Sequence, residues 1–251
     1  MSNVLTVIFT HYPYEQVEKI YNWHKDKVSN LRIIWRIGDF EPEEIIKNNN
    51  PHIMPMKLPM LKSKNFTQII PNCLTWFQDK SWDYYIVMEG DALILSDEFE
   101  KNCIEHMQEN QVSVLLPWLR SGRLNPEHPF GRSLASLQAK FWSIPAISIL
   151  SKDALNYYGQ CMMHVPNYWH EVRFPTALIQ GDFHVSFNPF LKEESFHAPD
   201  NRTESLVKEV IEKAIKEDGV LALHAIKEPE LMDYVQEVLN EKNSSKKASS
   251  K

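Results

Sequence analysis

The chain has 251 residues, 43% of them hydrophobic and 24% charged, with a formal net charge of −6. That is the composition of a globular protein long enough to bury its own core. The acidic balance argues against a broad nucleic-acid or anionic-membrane surface, so an anionic substrate would need local Arg or Lys, or a cation. The three cysteines, Cys73, Cys103 and Cys161, form no C-x-x-C pair, which excludes a recognisable zinc cluster or disulfide framework and suits a reducing compartment.

The first apolar run, Val4 to Thr10, is short, β-branched and not preceded by a basic segment. It reads as a strand buried on both faces rather than a signal peptide. No segment reaches the length of a membrane span, and a cytoplasmic location is the expectation. Val17, Ile20, Tyr21 and His24 then fall at helical spacing. Leu31 to Asp39 reads as a second strand, and "EPEEIIKNN" as a short helix opened by Pro42 and acids. Pro51 to Pro59, rich in Pro and Met, reads as an irregular connection. "FTQIIPNCLTWFQDKS" suggests a helix interrupted at Pro71. "DYYIVM" is a strand, "EFEKNCIEHMQEN" a helix and "VSVLLPWL" a strand. Such alternation is the pattern of βαβ units around a mostly parallel sheet.

Arg120 to Gln138 carries Gly, Pro and several arginines and reads as a long loop. An apolar stretch follows, and Ser151 is placed to cap a helix over "ALNYYGQC". "YWHEVRFPTALIQ" reads as a helix broken at Pro175, and "DFHVSFNPF" alternates like a strand. "TESLVKEVIEKAIKEDG" is the clearest helix: Thr203 as N-cap, Leu206, Val207, Val210, Ile211 and Ile215 as its apolar face, Gly219 as its stop. "VLALHAIKE" is a last strand and "PELMDYVQEVLNEK" a terminal helix, ahead of a polar tail expected to be disordered.

One strand is interrupted in a way that bears on chemistry. In "YYIVMEGDALIL" the apolar run is broken by Glu89-Gly90-Asp91 and then resumes. Residues two apart on a strand project together, and ligands of open parallel sheets sit beyond the strands' carboxyl ends. Two carboxylates converging there repel each other unless a cation or a proton relieves them. Oxygen donors suit Mg²⁺ or Mn²⁺. A polar strand-end turn with exposed acids would give the same triplet.

His224, closing an apolar run, could add an imidazole ligand, and Lys227 could reach a phosphate; a buried, hydrogen-bonded His beside a surface Lys is the plainer alternative. Glu171, flanked by aromatic residues, could accept a proton from a hydroxyl or sit on a helix surface. Thr10 and His11 after the first strand, with Arg36 and Asp39 at the second, could line a pocket for a base and ribose, although a strand-end turn explains Asp39 equally well. The sequence has neither a P-loop nor a G-x-G-x-x-G motif.

In their order along the chain these features resemble the GT-A fold of nucleotide-sugar glycosyltransferases. "VMEGDALIL" looks like a variant of that superfamily's D-x-D motif, "ISILSKDAL" is similar to its acceptor-side segment, and "LHAIKE" resembles its late His and Lys segment. The resemblance implies one α/β, GT-A-like (Rossmann-like) domain over residues 1–235, with a nucleotide-binding half (1–119) and an acceptor-binding half (120–235). It implies a metal-dependent glycosyltransferase that takes Mn²⁺ or Mg²⁺ and a UDP- or GDP-sugar donor. The acceptor would be a saccharide or another hydroxyl compound.

Residue by residue, Asp91 matches the firmest metal ligand and takes part in catalysis through the metal. Glu89 matches the first acid, one methylene longer than the usual Asp. His224 matches the late metal ligand, Lys227 a diphosphate contact and Glu171 the catalytic carboxylate of inverting members. The alternatives are a sugar nucleotidyltransferase, against which the absence of Gly and Lys from "THYPYEQ" counts, and a non-catalytic nucleotide- or sugar-binding module with a degenerate metal site.

Overall fold

The computed structural model describes residues 2–37, 49–56, 77, 81–117, 120–121, 141–143, 146–162, 170–193, 204–226 and 228–249. At its centre is a sheet built from the most apolar runs of the sequence. The strands are β1 (Val4–Thr10), β2 (Leu31–Arg36), β3 (Ile53–Met56), β4 (Tyr84–Glu89), β6 (Val114–Leu116), β9 (Ile147–Ser151) and β10 (Val185–Phe187), in the spatial order β10-β6-β9-β4-β1-β2-β3. Every neighbouring pair is parallel except those that β9 makes with β4 and β6. The mostly parallel α/β sheet expected from strand–helix alternation is present.

Helices cover both faces, which is why β1 is buried at all seven positions and why its side chains divide between two cores. Val4 and Ile8 face one core; Leu5, Val7 and Phe9 face the other. The first core receives Val17 and Ile20 of α1 (Tyr14–His24) and Phe99, Cys103 and Met107 of α2 (Glu98–Glu109). It also receives Val207 and Ile211 of α5 (Glu204–Lys216), and Leu231 and Val235 of α6 (Pro229–Ser249). The second is filled by Leu155 and Tyr158 of α3 (Lys152–Met162) and Phe174 and Leu178 of α4 (His170–Gln180).

Two small sheets complete the described residues. β7 (Arg120–Ser121) pairs with β8 (Phe141–Trp142). The other, which positions the candidate site, has β12 (Ala222–His224) between β5 (Leu93–Ile94) and β11 (Leu191–Glu193).

Several local expectations hold. α1 buries Val17, Ile20 and His24 as expected, and Tyr14 besides, while Tyr21 is only half-buried. The Ser151 hydroxyl accepts the Ala154 N–H at 3.3 Å and so caps α3. Gly219, at φ +82°, takes a backbone conformation that side chains resist, just beyond α5.

Others are corrected. Residues 53–56 form a strand, not an irregular connection. Pro55 is tolerated because β3 is the outermost strand among the described residues, and its missing N–H takes nothing from the pairing with β2. α4 runs unbroken through Pro175, itself buried; packing of Val172, Phe174 and Leu178 outweighs the lost helical hydrogen bond. Leu206 does not join the apolar face of α5 and is 43% exposed. α6 continues to Ser249, through residues whose composition suggested a disordered tail, with Ser244 Oγ donating to the Asn240 carbonyl at 2.8 Å. The expected helix at 41–49, the interrupted helix at 66–81 and the body of the arginine-bearing loop lie outside the described residues, apart from 49, 77, 81 and Arg120–Ser121. Among the described residues no helix is long and apolar enough to cross a membrane.

Candidate functional site

The chain runs from β1 outward through β2 to β3, then returns to lay β4 on the other side of β1. Strand order therefore reverses between β1 and β4, and a crevice is expected beyond their carboxyl ends. Thr10 and His11 lie at that end of β1, and Glu89, Gly90 and Asp91 at that end of β4, with Phe9 in register with Glu89.

Gly90 is required where it stands: a Cβ there would lie 2.8 Å from Thr10 Cβ and Oγ1. The two strand ends thus meet without a side chain between them, and Thr10 Oγ1 remains available to accept the Tyr12 N–H at 3.3 Å.

The two acids converge for a reason other than strand alternation. β4 ends at Glu89, and a turn follows, closed by the Ala92 N–H donating to the Glu89 carbonyl at 3.1 Å. Asp91 lies within this turn and is buried, while the Glu89 side chain is 37% exposed.

The resumed apolar run then forms β5, which pairs antiparallel with β12 in the register Leu93↔Leu223 and Ile94↔Ala222. This pairing brings the next residue of β12, His224, back over the turn. The Ile226 N–H donates to the Asp91 carbonyl at 2.7 Å and extends the tie. His224, also buried, then places Nε2 3.4 Å from Asp91 Oδ1 and 3.9 Å from Glu89 Oε2.

Glu89, Asp91 and His224 each offer a ligand atom, all within 4.8 Å of one another, and they are the one such group among the described residues. The donor set fits a divalent cation. An ion about 2.1 Å from each donor sets neighbouring donors roughly 3 Å apart and opposite ones roughly 4.2 Å apart. Two carboxylates with one imidazole suit Mn²⁺ at least as well as Mg²⁺.

Sequence reasoning missed Tyr12. Its phenol is pushed above the ordinary value, first by burial and then by the negative charges of Asp91, Glu89 and Glu228. The ring stacks on exposed His11, with centroids 5.1 Å apart, and the Tyr12 carbonyl accepts Trp35 Nε1–H at 3.0 Å. Within "THYP" an aromatic residue gives no sign of this; the charges that face it come from segments distant in sequence.

Arg36 ends β2, one strand further from the acids than Thr10, and is buried. Glu171 falls in the first turn of α4, and its side chain lies outside the described residues, as do Asp39 and Lys227 altogether. A separate cleft of about 910 Å³ opens elsewhere, lined in part by Ser2, Asp26, Asp83 and Glu100 near the amino-terminal ends of β1 and β4.

No family model matches the chain, and no curated protein matches it. Solved structures that align with it include CMP:2-keto-3-deoxy-manno-octonic acid synthetase complexed with CTP, at 11% identity over 74% of this chain and 89% of that one, TM-score 0.45. A provisionally assigned glucose-1-phosphate thymidylyltransferase from Bacillus anthracis aligns at 9% identity over 74% and 86%, TM-score 0.44. A provisionally assigned nucleotide-diphospho-sugar transferase from Desulfovibrio desulfuricans G20 aligns at 12% identity over 75% and 80%, TM-score 0.44. At this level of likeness the activities named for them do not transfer to this chain.

Proposed function

We propose that this chain is a metal-dependent glycosyltransferase that moves a sugar from a nucleoside-diphosphate donor, a UDP- or GDP-sugar, to an acceptor hydroxyl. The observation that carries the reading is the meeting of Glu89, Asp91 and His224 beyond the carboxyl ends of the strands, at the reversal of strand order. An acidic chain with two acids at this place repels a diphosphate unless a cation intervenes. Buried Asp91 and His224, with the more exposed Glu89, are the residues that would hold that cation. A bound Mn²⁺ or Mg²⁺ supplies neutralisation of the charge that builds on the departing diphosphate.

The chain's own residues do the rest. Thr10, His11 and Arg36 at the strand ends, with Asp39 next in sequence, are assigned to the base and ribose. Lys227, three residues beyond His224 in sequence, is assigned to the diphosphate as its positive partner. Glu171 accepts the proton of the acceptor hydroxyl. Tyr12 stays protonated beside the acids, because burial and their charges oppose its ionisation, and so offers a hydrogen-bond donor there.

The test is a thermal-shift panel of UDP, GDP, CTP and ADP with and without Mn²⁺, followed by a donor-sugar hydrolysis assay. Binding to the native state raises apparent stability. UDP or GDP should stabilise only with the metal, and the matching nucleotide sugar should be slowly hydrolysed. No stabilisation by any nucleotide would overturn the reading. Pyrophosphate release from a nucleoside triphosphate and a sugar 1-phosphate would reassign the chain to nucleotidyl transfer.

A further inference from the structure

We infer that the last turn of α1, through the side chains of Trp23 and His24, sets the geometry of the acid–histidine centre by closing the outer edge of β5. The functional consequence rests on the metal-centre reading above; the arrangement itself exists without a metal.

β5 is the outer strand of the three-stranded sheet and only two residues long. An outer strand turns alternate backbone N–H and C=O groups away from its partner, and when those groups are buried they must be satisfied from elsewhere. Ile94 is fully buried. Its carbonyl accepts Trp23 Nε1–H at 2.7 Å, and its N–H donates to His24 Nε2 at 3.3 Å. Two consecutive helix residues thus satisfy both backbone groups of one strand residue.

His24 can accept there because its other nitrogen is committed. Nδ1 lies 2.8 Å from the Ile20 carbonyl, an acceptor only, so Nδ1 carries the proton and Nε2 presents its lone pair. His24 is itself fully buried, and the Trp23 ring is braced on its outer side by the Lys27 ammonium, 4.5 Å from the ring centroid.

On its inner side the same short segment carries the site. Leu93 and Ile94 are in register with Leu223 and Ala222, and the Leu95 N–H donates to the Leu221 carbonyl at 2.8 Å. Asp91 lies three residues before Ile94, and His224 ends the partner strand. A two-residue strand held on one side only would let the Asp91–His224 separation relax. Clamped between α1 and β12, it cannot. Trp23 and His24 are therefore positioning residues: they act through β5 and touch neither ligand nor substrate. Groups that orient metal ligands from behind commonly control affinity by about 10- to 100-fold.

The test uses the full chain and three substitutions. His24→Phe fills the ring's volume but cannot accept the Ile94 N–H. His24→Gln puts an amide oxygen near the place of Nε2 and can. Trp23→Phe removes only the donor to the Ile94 carbonyl. Two readouts are taken: the His224 ring signals by NMR without metal, and Mn²⁺ affinity by paramagnetic resonance titration.

His24→Phe should shift the His224 signals and weaken Mn²⁺ roughly tenfold or more, with most of the loss recovered in His24→Gln. A folded His24→Phe protein with unchanged His224 signals and Mn²⁺ affinity within about twofold of wild type overturns the inference. So does His24→Gln as impaired as His24→Phe. If His24→Phe does not fold, Trp23→Phe decides: altered His224 signals support the clamp, unaltered ones overturn it. A wild-type protein that binds no Mn²⁺ overturns the metal reading instead, while the His224 signals still judge the clamp.

Discussion

Replacing Gly90 by Ala adds one methyl group at the junction of β1 and β4, and the cost can be worked from the surroundings. The new Cβ would lie 2.8 Å from Thr10 Cβ, 2.8 Å from Thr10 Oγ1 and 3.3 Å from the Phe9 carbonyl oxygen. Comfortable contact needs about 3.5–4.0 Å, so the strand ends must part by the better part of an ångström. No flexible side-chain tip can yield: Thr10 Cβ is fixed to a strand hydrogen-bonded on both sides, to β2 and to β4.

Overpacking of this kind costs about 1–3 kcal/mol. Taking ~2 kcal/mol, the midpoint of thermal unfolding should fall by roughly 4–8 °C. Circular dichroism melts of Gly90→Ala, Thr10→Gly and the double variant form a cycle that separates the clash from the cost of each change. In the Thr10→Gly background, where the crowding Cβ and hydroxyl are gone, Gly90→Ala should cost under about 0.5 kcal/mol. An equal cost of Gly90→Ala in both backgrounds would refute the reasoning, as would a single variant melting with the wild type.

Asp91→Asn and His224→Gln should each abolish Mn²⁺-dependent stabilisation by UDP or GDP while leaving the metal-free melting temperature near wild type; Glu89→Gln should weaken it less, because Glu89 is the half-exposed member of the group. Glu171→Gln should keep nucleotide binding and lower transfer to acceptor by roughly 100-fold or more, read by product formation under saturating donor. Burial pushes the His24 imidazole down to about 4 from an ordinary value of 6.5. Above the ordinary value neither the folded nor the unfolded form is charged. As pH falls the unfolded chain takes up the proton first, so about 3 kcal/mol of stability is lost between pH 6.5 and 4. Urea melts should show the wild type's advantage over His24→Gln shrinking across that window; a constant difference would contradict it.

What the sequence discloses about this fold follows from which signals are local. β1 and α1 are legible because a continuous apolar run and a helical period are local signals: all seven β1 positions are buried, as are Val17, Ile20 and His24 of α1, with Tyr21 only half-buried. The direction of β9 is not: "AISIL" announces a buried strand, and nothing within it says that the strand opposes its neighbours on both sides. Prolines mislead twice in the same direction, each suggesting a break where none occurs, since Pro55 sits harmlessly on an outer strand and Pro175 is overridden by packing.

At the site, Glu89 and Asp91 stand out because they interrupt an apolar run. The expectation that alternation aligns them was wrong in its cause, since a turn brings them together. The nearness of His224 to Asp91 depends on the pairing of β5 with β12, two very short segments far apart in the chain. Tyr12 and the α1 clamp could not be read at all, because their meaning lies in which backbone groups and charges the fold turns toward them.

Under the proposed function, Glu89, Asp91 and His224 would hold a divalent cation against a diphosphate. Phosphorus NMR of UDP and GDP, with sub-stoichiometric Mn²⁺ and the wild-type chain, tests it most directly. The protein should sharply increase Mn²⁺-induced broadening of the diphosphate signals of one nucleotide, and Asp91→Asn should remove the increase. Broadening no greater than with Mn²⁺ and nucleotide alone, or equal broadening with Asp91→Asn, would contradict it.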